Sequence, residues 1–213
     1  MRVLGLMMIA IGLMFSCQKA DFSDLDTDKY QVQARLDAGE TPIQILNSGV
    51  PVDYIMGKVY QNGYIFYLNA ETGEGLVCSK TDIFNDSFQT YYNVWGDANF
   101  ALPQGLQLED GIGAGENNTA VLAPICGESS SILNGVQTFT TESGWYLPSK
   151  TELMAMHNNL HRLRLVDFSL EYYWTSNVEE NKVVCIDFST NDIPQPVLVA
   201  PTAVIRAKAV KKF

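Results

Sequence analysis

Trp145-Tyr146-Leu147-Pro148-Ser149-Lys150-Thr151-Glu152-Leu153 is the stretch on which the fold turns. Ser149 and Glu152 have the spacing of a capping box, in which each side chain satisfies an orphan backbone N–H of a helix's first turn. Leu153, Met156, Leu160 and Leu163 then recur at intervals of three, four and three, so one face of that helix is predicted to be buried. Trp145 and Tyr146, just ahead of the cap, are expected in the core.

The segments on either side read mainly as strands and turns. Tyr172–Ser176, Val183–Phe188 and Ala203–Val210 are predicted strands, and Trp174 and Phe188 within them are expected to be core. Pro194 and Pro196 keep the segment after Asn191-Asp192 out of any central strand. On the N-terminal side, Tyr64–Leu68 and Leu76–Cys78 flank the turn Glu71–Gly75 and predict a hairpin. Between hairpin and helix, Asp82–Gln107 has no period and is expected to be a long ordered loop. Gly111–Gly115 reads as a turn leading to a cap at Asn118-Thr119 and a short helix over Ala120–Cys126. Glu128–Ser143 reads as a second polar loop. This element order is α+β, not alternating βαβ, which argues against a doubly wound nucleotide fold.

Composition bounds the function classes. The 213 residues are 46% hydrophobic and 18% charged, enough apolar material for one core. With 14 Lys+Arg against 24 Asp+Glu the net charge is −10, which argues against sequence-independent binding to nucleic acid, since that needs a basic face to displace counterions; no nucleic-acid partner is expected. Ten Tyr, ten Phe, three Trp and 16 Gly suit a strand-and-turn protein.

The chain opens with an address. Arg2 precedes the apolar run Val3–Phe15, then Ser16 and Cys17. A run of roughly 13 residues is short of the about 20 that span a bilayer and suits a signal-peptide core. Residues 1–16 are read as a lipoprotein signal peptide and Cys17 as the lipidated N-terminus, although Met14 and Phe15 depart from the usual lipobox. Several buried acyl chains would hold the protein to the membrane. Gln18–Asp28, within residues 17–28, is an acidic tether. Residues 29–56 form a short helical stub: one helix ends at Gly39, and a second is capped by Thr41, carries Pro42 first and closes at Gly49. The stub is expected to pack on the main domain, residues 57–213, or to space it from the membrane.

Four stretches together carry a family resemblance: Tyr60–Tyr67, Ile112–Thr119, Trp145–Leu153 and Tyr173–Ser176, with Val204–Val210 ending as that family ends. The region Gly57–Phe213 resembles the Fibrobacter succinogenes-type major paralogous domain of bacterial surface proteins, and the stub and tether resemble the leaders of Bacteroidetes lipoproteins. The resemblance implies a C-type-lectin-like fold, a small twisted antiparallel sheet flanked by two helices with long irregular loops. It also implies an outer-membrane, cell-surface location and an adhesin-like, noncatalytic domain that binds a glycan or protein. The alternatives are an assembly subunit of a surface appendage or envelope complex, and an enzyme of the formylglycine-generating type. A related domain ends a collagen-like adhesin that binds sulfated polysaccharides; the acidic balance here argues against that ligand class.

Candidate chemistry is sparse, and no cofactor or metal is expected. His157 and His161 are the only histidines, spaced as a zinc pair would be, but Asn158 stands where a zincin needs Glu and no third ligand is marked, so a solvated helix flank is expected. Gly111–Gly115 lacks the Lys-Ser/Thr of a phosphate loop. Calcium-dependent sugar binding would need a carboxylate near Gln195-Pro196, and Val197 occupies the position; Asp187, Asn191 and Asp192 are the nearby oxygen donors. Formylglycine-generating chemistry requires paired cysteines near the C-terminus, and Cys185 stands alone there. Cys78, Cys126 and Cys185 form no CxxC; they allow one disulfide and one free thiol, or three buried thiols. The candidate ligand contacts are Tyr91, Tyr92, Trp95, Asp97 and Asn99 in the long loop. Aromatics beside polar groups suit a contact surface, and they suit equally well the pinning of the loop to the domain.

Overall fold

A computed structural model describes residues 29–85, 89–91, 93–127, 131–190 and 192–213. Residues 1–28, which hold the expected lipidation site Cys17 and the expected signal peptide and tether, lie outside the described residues, as do Tyr92 and Asn191. Two short helices, α1 (Val32–Asp37) and α2 (Pro42–Asn47), lead into the strands β1 (Val59–Tyr60), β2 (Gly63–Leu68) and β3 (Gly75–Ser79). Helices α3 (Ala114–Leu122), α4 (Ile132–Thr138) and α5 (Lys150–Met156) follow, then β4 (Tyr172–Glu179), β5 (Lys182–Asp187), β6 (Pro196–Val199) and β7 (Val210–Lys212). The architecture is α+β, and its strands fall into two antiparallel sheets, ordered β1-β2-β3-β7 and β4-β5-β6.

The first sheet brings the end of the chain back beside the first hairpin. β7 pairs antiparallel with β3, and Tyr146 exchanges both backbone hydrogen bonds with Val210 at 2.9 Å. In β2 the register to β3 slips between Ile65 and Tyr67, leaving Phe66 as a bulge. The bulge lets two consecutive large residues be buried: Ile65 enters the larger core cluster and Phe66 the smaller one beneath α5. Without it, alternation would send one of them to solvent.

The stub packs on the domain, one of the two arrangements its sequence allows. Val32, Leu36 and Ile45 join the same cluster as Ile65, Trp95 and Trp174. The Gln33 amide grips both backbone groups of Val59 at 2.9 and 3.0 Å, closing the free side of β1. The Thr41–Gln44 capping box and Pro42 at the first helical position form as the sequence implies.

Three sequence boundaries move. The last strand forms over Val210–Lys212, not Ala203–Val210, within which Ile205 and Arg206 make isolated bridges to Asn93 and Tyr173. Helix α3 begins at Ala114, not at Ala120, because Gly113 takes φ 86° as its N-cap and lets the chain turn into the helix. Gly115 sits in the first turn where a Cβ would lie 2.5 Å from Glu152 Oε2 and 2.6 Å from the Leu147 carbonyl, so only glycine allows α3 this close to α5. Asn118 and Thr119 are therefore buried mid-helix and cap nothing. The expected loop 128–143 contains α4, whose Ile132, Leu133 and Val136 are buried at a spacing that its Ser/Thr-rich flanks conceal.

Candidate functional site

The α5 capping box forms and is buried. Ser149 Oγ accepts from Glu152 N at 3.1 Å, and Glu152 Oε2 accepts from Ser149 N at 2.7 Å. Glu152 Oε1 takes the Gly113 N–H at 2.8 Å and the Tyr146 hydroxyl at 3.0 Å. Burial raises the Glu152 carboxyl, against the opposing pull of those donors. Leu153, Met156 and Leu160 are buried as expected, whereas Leu163 lies beyond the helical turns, which end at His161, and is only half-buried. The group is a structural clamp joining α3, α5 and β7, with its acceptors occupied.

Beyond Met156 the helix widens into a π turn over His157–His161. The turn rotates both histidines inward, so the expected solvated flank is wrong: His157 is fully buried and His161 is 7% exposed. Their rings lie 4.9 Å apart and pack on Phe188 at 4.9 and 5.2 Å. His157 Nε2 meets the Thr190 carbonyl oxygen at 2.8 Å. Burial and the neighbouring His157 lower the His161 pKa. No group of three or more His, Cys, Asp or Glu residues suited to a metal occurs among the described residues.

All three described cysteines are buried free thiols, which decides between the two arrangements the sequence allows. Burial pushes Cys78 up to about 11 and also raises Cys185, so neither is a thiolate at neutral pH.

The long loop is ordered by inward pins, and this corrects Trp95 as a contact residue. Its ring is fully buried against Phe100 at 4.9 Å, and its indole N–H donates to the Thr175 carbonyl at 2.9 Å. Trp174 returns the contact by donating to the Asn93 carbonyl at 2.7 Å. The Trp95 and Gly96 amides both bond Pro201 O, and Asn93 bridges Ile205. Asp97 is half-buried and Asn99 exposed, joined by a 2.6 Å bond from Asn99 N to Asp97 Oδ1 next to Cys126. Tyr91 is 43% exposed and packs edge-on to Phe84. It turns toward Arg206, whose guanidinium carbon is 6.0 Å from its ring centre.

Arg206 belongs to a charged hub that sequence reasoning missed. Asp82 accepts Arg206 Nη1 at 2.9 Å, stands 3.3 Å from Lys208 Nζ, and takes the Tyr173 hydroxyl at 3.2 Å on each oxygen. Glu171 pairs with Arg206 Nε at 3.2 Å. Burial works against the Arg206 charge, but the two carboxylates outweigh it and raise its pKa. Burial and Asp82 raise Tyr173. Asp82 lies 124 residues from Arg206 in the chain, so no local signal marks the pair.

Beside this hub, where β4 begins and β5 ends, lies a concavity of about 210 Å3. Leu170, Glu171 and Tyr172 wall it from the entry to β4, Asp187 and Ser189 from the exit of β5, and Val204 and Ile205 from the strand-like return. Its apolar rim is open to water: Leu170 is 65% exposed, Val204 64% and Tyr172 44%. The frame beneath is held by Phe188 N to Glu171 O at 3.0 Å, Trp174 N to Arg206 O at 2.9 Å and Ser169 N to the Tyr173 hydroxyl at 3.1 Å. A larger concavity of about 360 Å3 lies between Tyr67, Glu74, Ile112, Lys212 and Phe213. There Lys212 is already paired with Glu116 at 2.6 Å, and Ile112 is the one exposed large apolar residue. The smaller concavity combines exposed apolar groups with anionic ones and is the better candidate. Tyr91 reaches its neighbourhood through Arg206; Trp95, Asp97 and Asn99 do not line it.

The chain matches no protein-family model and no curated protein at a significant level.

Proposed function

We propose that this chain is a lipid-anchored protein of the bacterial outer membrane, displayed at the cell surface, whose C-type-lectin-like domain binds a glycan or protein ligand without catalysis. The observation that carries it is the gathering of Leu170, Tyr172 and Val204 around one concavity on a tightly pinned frame. Leaving three large apolar side chains in water is unfavourable, by about 25 cal/mol per Å2 of apolar surface that could have been buried. A clustered exposure of that kind marks contact surfaces more often than scattered single residues do. The raised, buried thiols and the buried histidines support a noncatalytic reading over formylglycine-generating chemistry. The α+β architecture with long, pinned loops is compatible with the C-type-lectin-like assignment.

A screen on a glycan array, with and without chelator, tests the glycan half of this reading. Hits that persist in chelator and disappear in L170S/V204S support the site; hits that vanish with chelator bring calcium back. Intact-mass analysis of the mature protein tests the anchor, since an unacylated Cys17 removes it.

An assembly subunit is the second reading, and the edge strand β6 favours it. β6 pairs on one side with β5, and Val197 and Leu198 are exposed at 37% and 38%. An open apolar edge is a template for another strand. Sedimentation that shows a concentration-dependent oligomer, abolished by V197K, would turn the proposal toward assembly.

A further inference from the structure

The concavity beside β4 carries a charge pattern as well as an apolar one, and together they narrow the ligand. Its charged lining consists of two carboxylates, Glu171 and Asp187. Arg206 compensates Glu171. Asp187 has no such cation: its Oδ1 accepts the Ser189 N–H at 2.8 Å, and no side chain among the described residues is paired with its other oxygen. An anionic ligand would be repelled there. A neutral apolar group would strip water from the Asp187 carboxylate and give nothing back. The volume of about 210 Å3 is also below the ~300–1,000 Å3 of ordinary small-molecule pockets, and suits one large side chain.

We propose that this concavity seats a single basic side chain, arginine above all, presented by a protein partner. The methylene stem lies along Leu170 and Val204, as long cationic side chains do on apolar surfaces. The guanidinium then reaches Asp187 and the exposed face of Tyr172, which supplies a cation–π contact. Arginine is favoured over lysine because its planar head is less strongly hydrated and pairs two donors with one carboxylate. The chain's net charge of −10 draws a basic partner toward this face from a distance. The inference rests on the binding reading above and commits it to a protein ligand.

The test is an amide-resolved NMR titration of the folded chain, residues 18–213, with N-acetyl-arginine-amide. Parallel arms use N-acetyl-norleucine-amide and methyl glucoside. Saturable shifts at Tyr172, Asp187, Ser189 and Val204 with a millimolar Kd are expected, at least tenfold tighter than for the norleucine probe. Asp187→Asn should weaken arginine binding tenfold or more while leaving the rest of the amide spectrum in place, and added salt should weaken it in wild type. Equal affinity for norleucine, or no shift at these amides with arginine, overturns the inference. Shifts with methyl glucoside in place of arginine sink it while leaving the binding reading standing. Silence at these amides with all three probes removes the site from both.

Discussion

The two ends of strand β4 are built on opposite principles. Toward its C-terminal end, the side chains of Thr175, Ser176 and Asn177 are buried and engaged. Asn177 takes the Lys150 N–H at 2.7 Å and gives its own amide to Glu109 O at 3.0 Å, while Asn118 holds both backbone groups of Glu109 at 2.7 and 3.0 Å. At the Tyr172 end, the most exposed groups are the apolar Leu170, Tyr172 and Val204 on the rim of a concavity. The β4–β5 register loosens toward the C-terminal end, between Trp174 and Val178, which is what frees Ser176 and Asn177 to bond outward to Pro148, Lys150 and Glu109. A saturated polar cluster orders the loops that approach it and has little capacity left for a ligand. Exposed apolar surface has that capacity. The contrast separates a saturated framework from an open apolar rim within one eight-residue strand.

The contrast can be broken first at the pins. Trp95→Ala should cost about 3–5 kcal/mol, the range for a large aromatic removed from a core, and more if the Thr175 carbonyl is left unpaired. Urea unfolding measures it, and a loss below about 1 kcal/mol would return Trp95 to the list of contact residues. Next comes Asn177→Ala, which leaves the Lys150 N–H without its partner and the Glu109 carbonyl with the Asn118 amide alone. About 1–3 kcal/mol should be lost, with the unfolding slope unchanged.

A third prediction concerns pH. Folding lowers the His161 pKa, so in the window from its ordinary value of about 6.5 down to the folded value the unfolded chain binds the proton that the folded chain refuses. Stability should therefore fall as pH drops below about 6.5. The difference in unfolding free energy between wild type and His161→Gln should shrink over that window. A flat difference would mean that the π-turn histidine is not held neutral by its surroundings. The smallest effect belongs to the open end: Leu170→Ser and Val204→Ser should each change stability by no more than about 0.5 kcal/mol in thermal unfolding. A large loss there would show that these side chains are framework after all, and the contrast would fail.

The sequence was most legible where the controlling interactions are a few residues apart. The Ser149–Glu152 and Thr41–Gln44 capping boxes, the β2–β3 hairpin and the buried Leu153, Met156 and Leu160 all follow from local spacing, and all form. The candidate site was much less legible. Of Tyr91, Trp95, Asp97 and Asn99, Tyr91 alone turns toward the charged hub beside the concavity. Aromatic residues in an aperiodic segment carry no local mark of which way they face. That depends on partners such as Thr175, about 80 positions away along the chain. Leu170 and Val204 carry no local mark for the complementary reason: an aliphatic residue in or near a predicted strand reads as core.

Length, composition, caps and periodicity by themselves determined that this acidic chain has an apolar core, an α+β element order, a helix opening at Ser149 and a hairpin near residue 70. Those features are set by hydrogen bonds and side-chain spacings within a turn or two of backbone. Tertiary structure alone decided that the strands divide into two sheets, that the π turn draws both histidines inward, and that Leu170, Asp187 and Val204 meet at one concavity. Such outcomes depend on which distant segments exclude water from one another, and that pairing is a property of the whole packed chain.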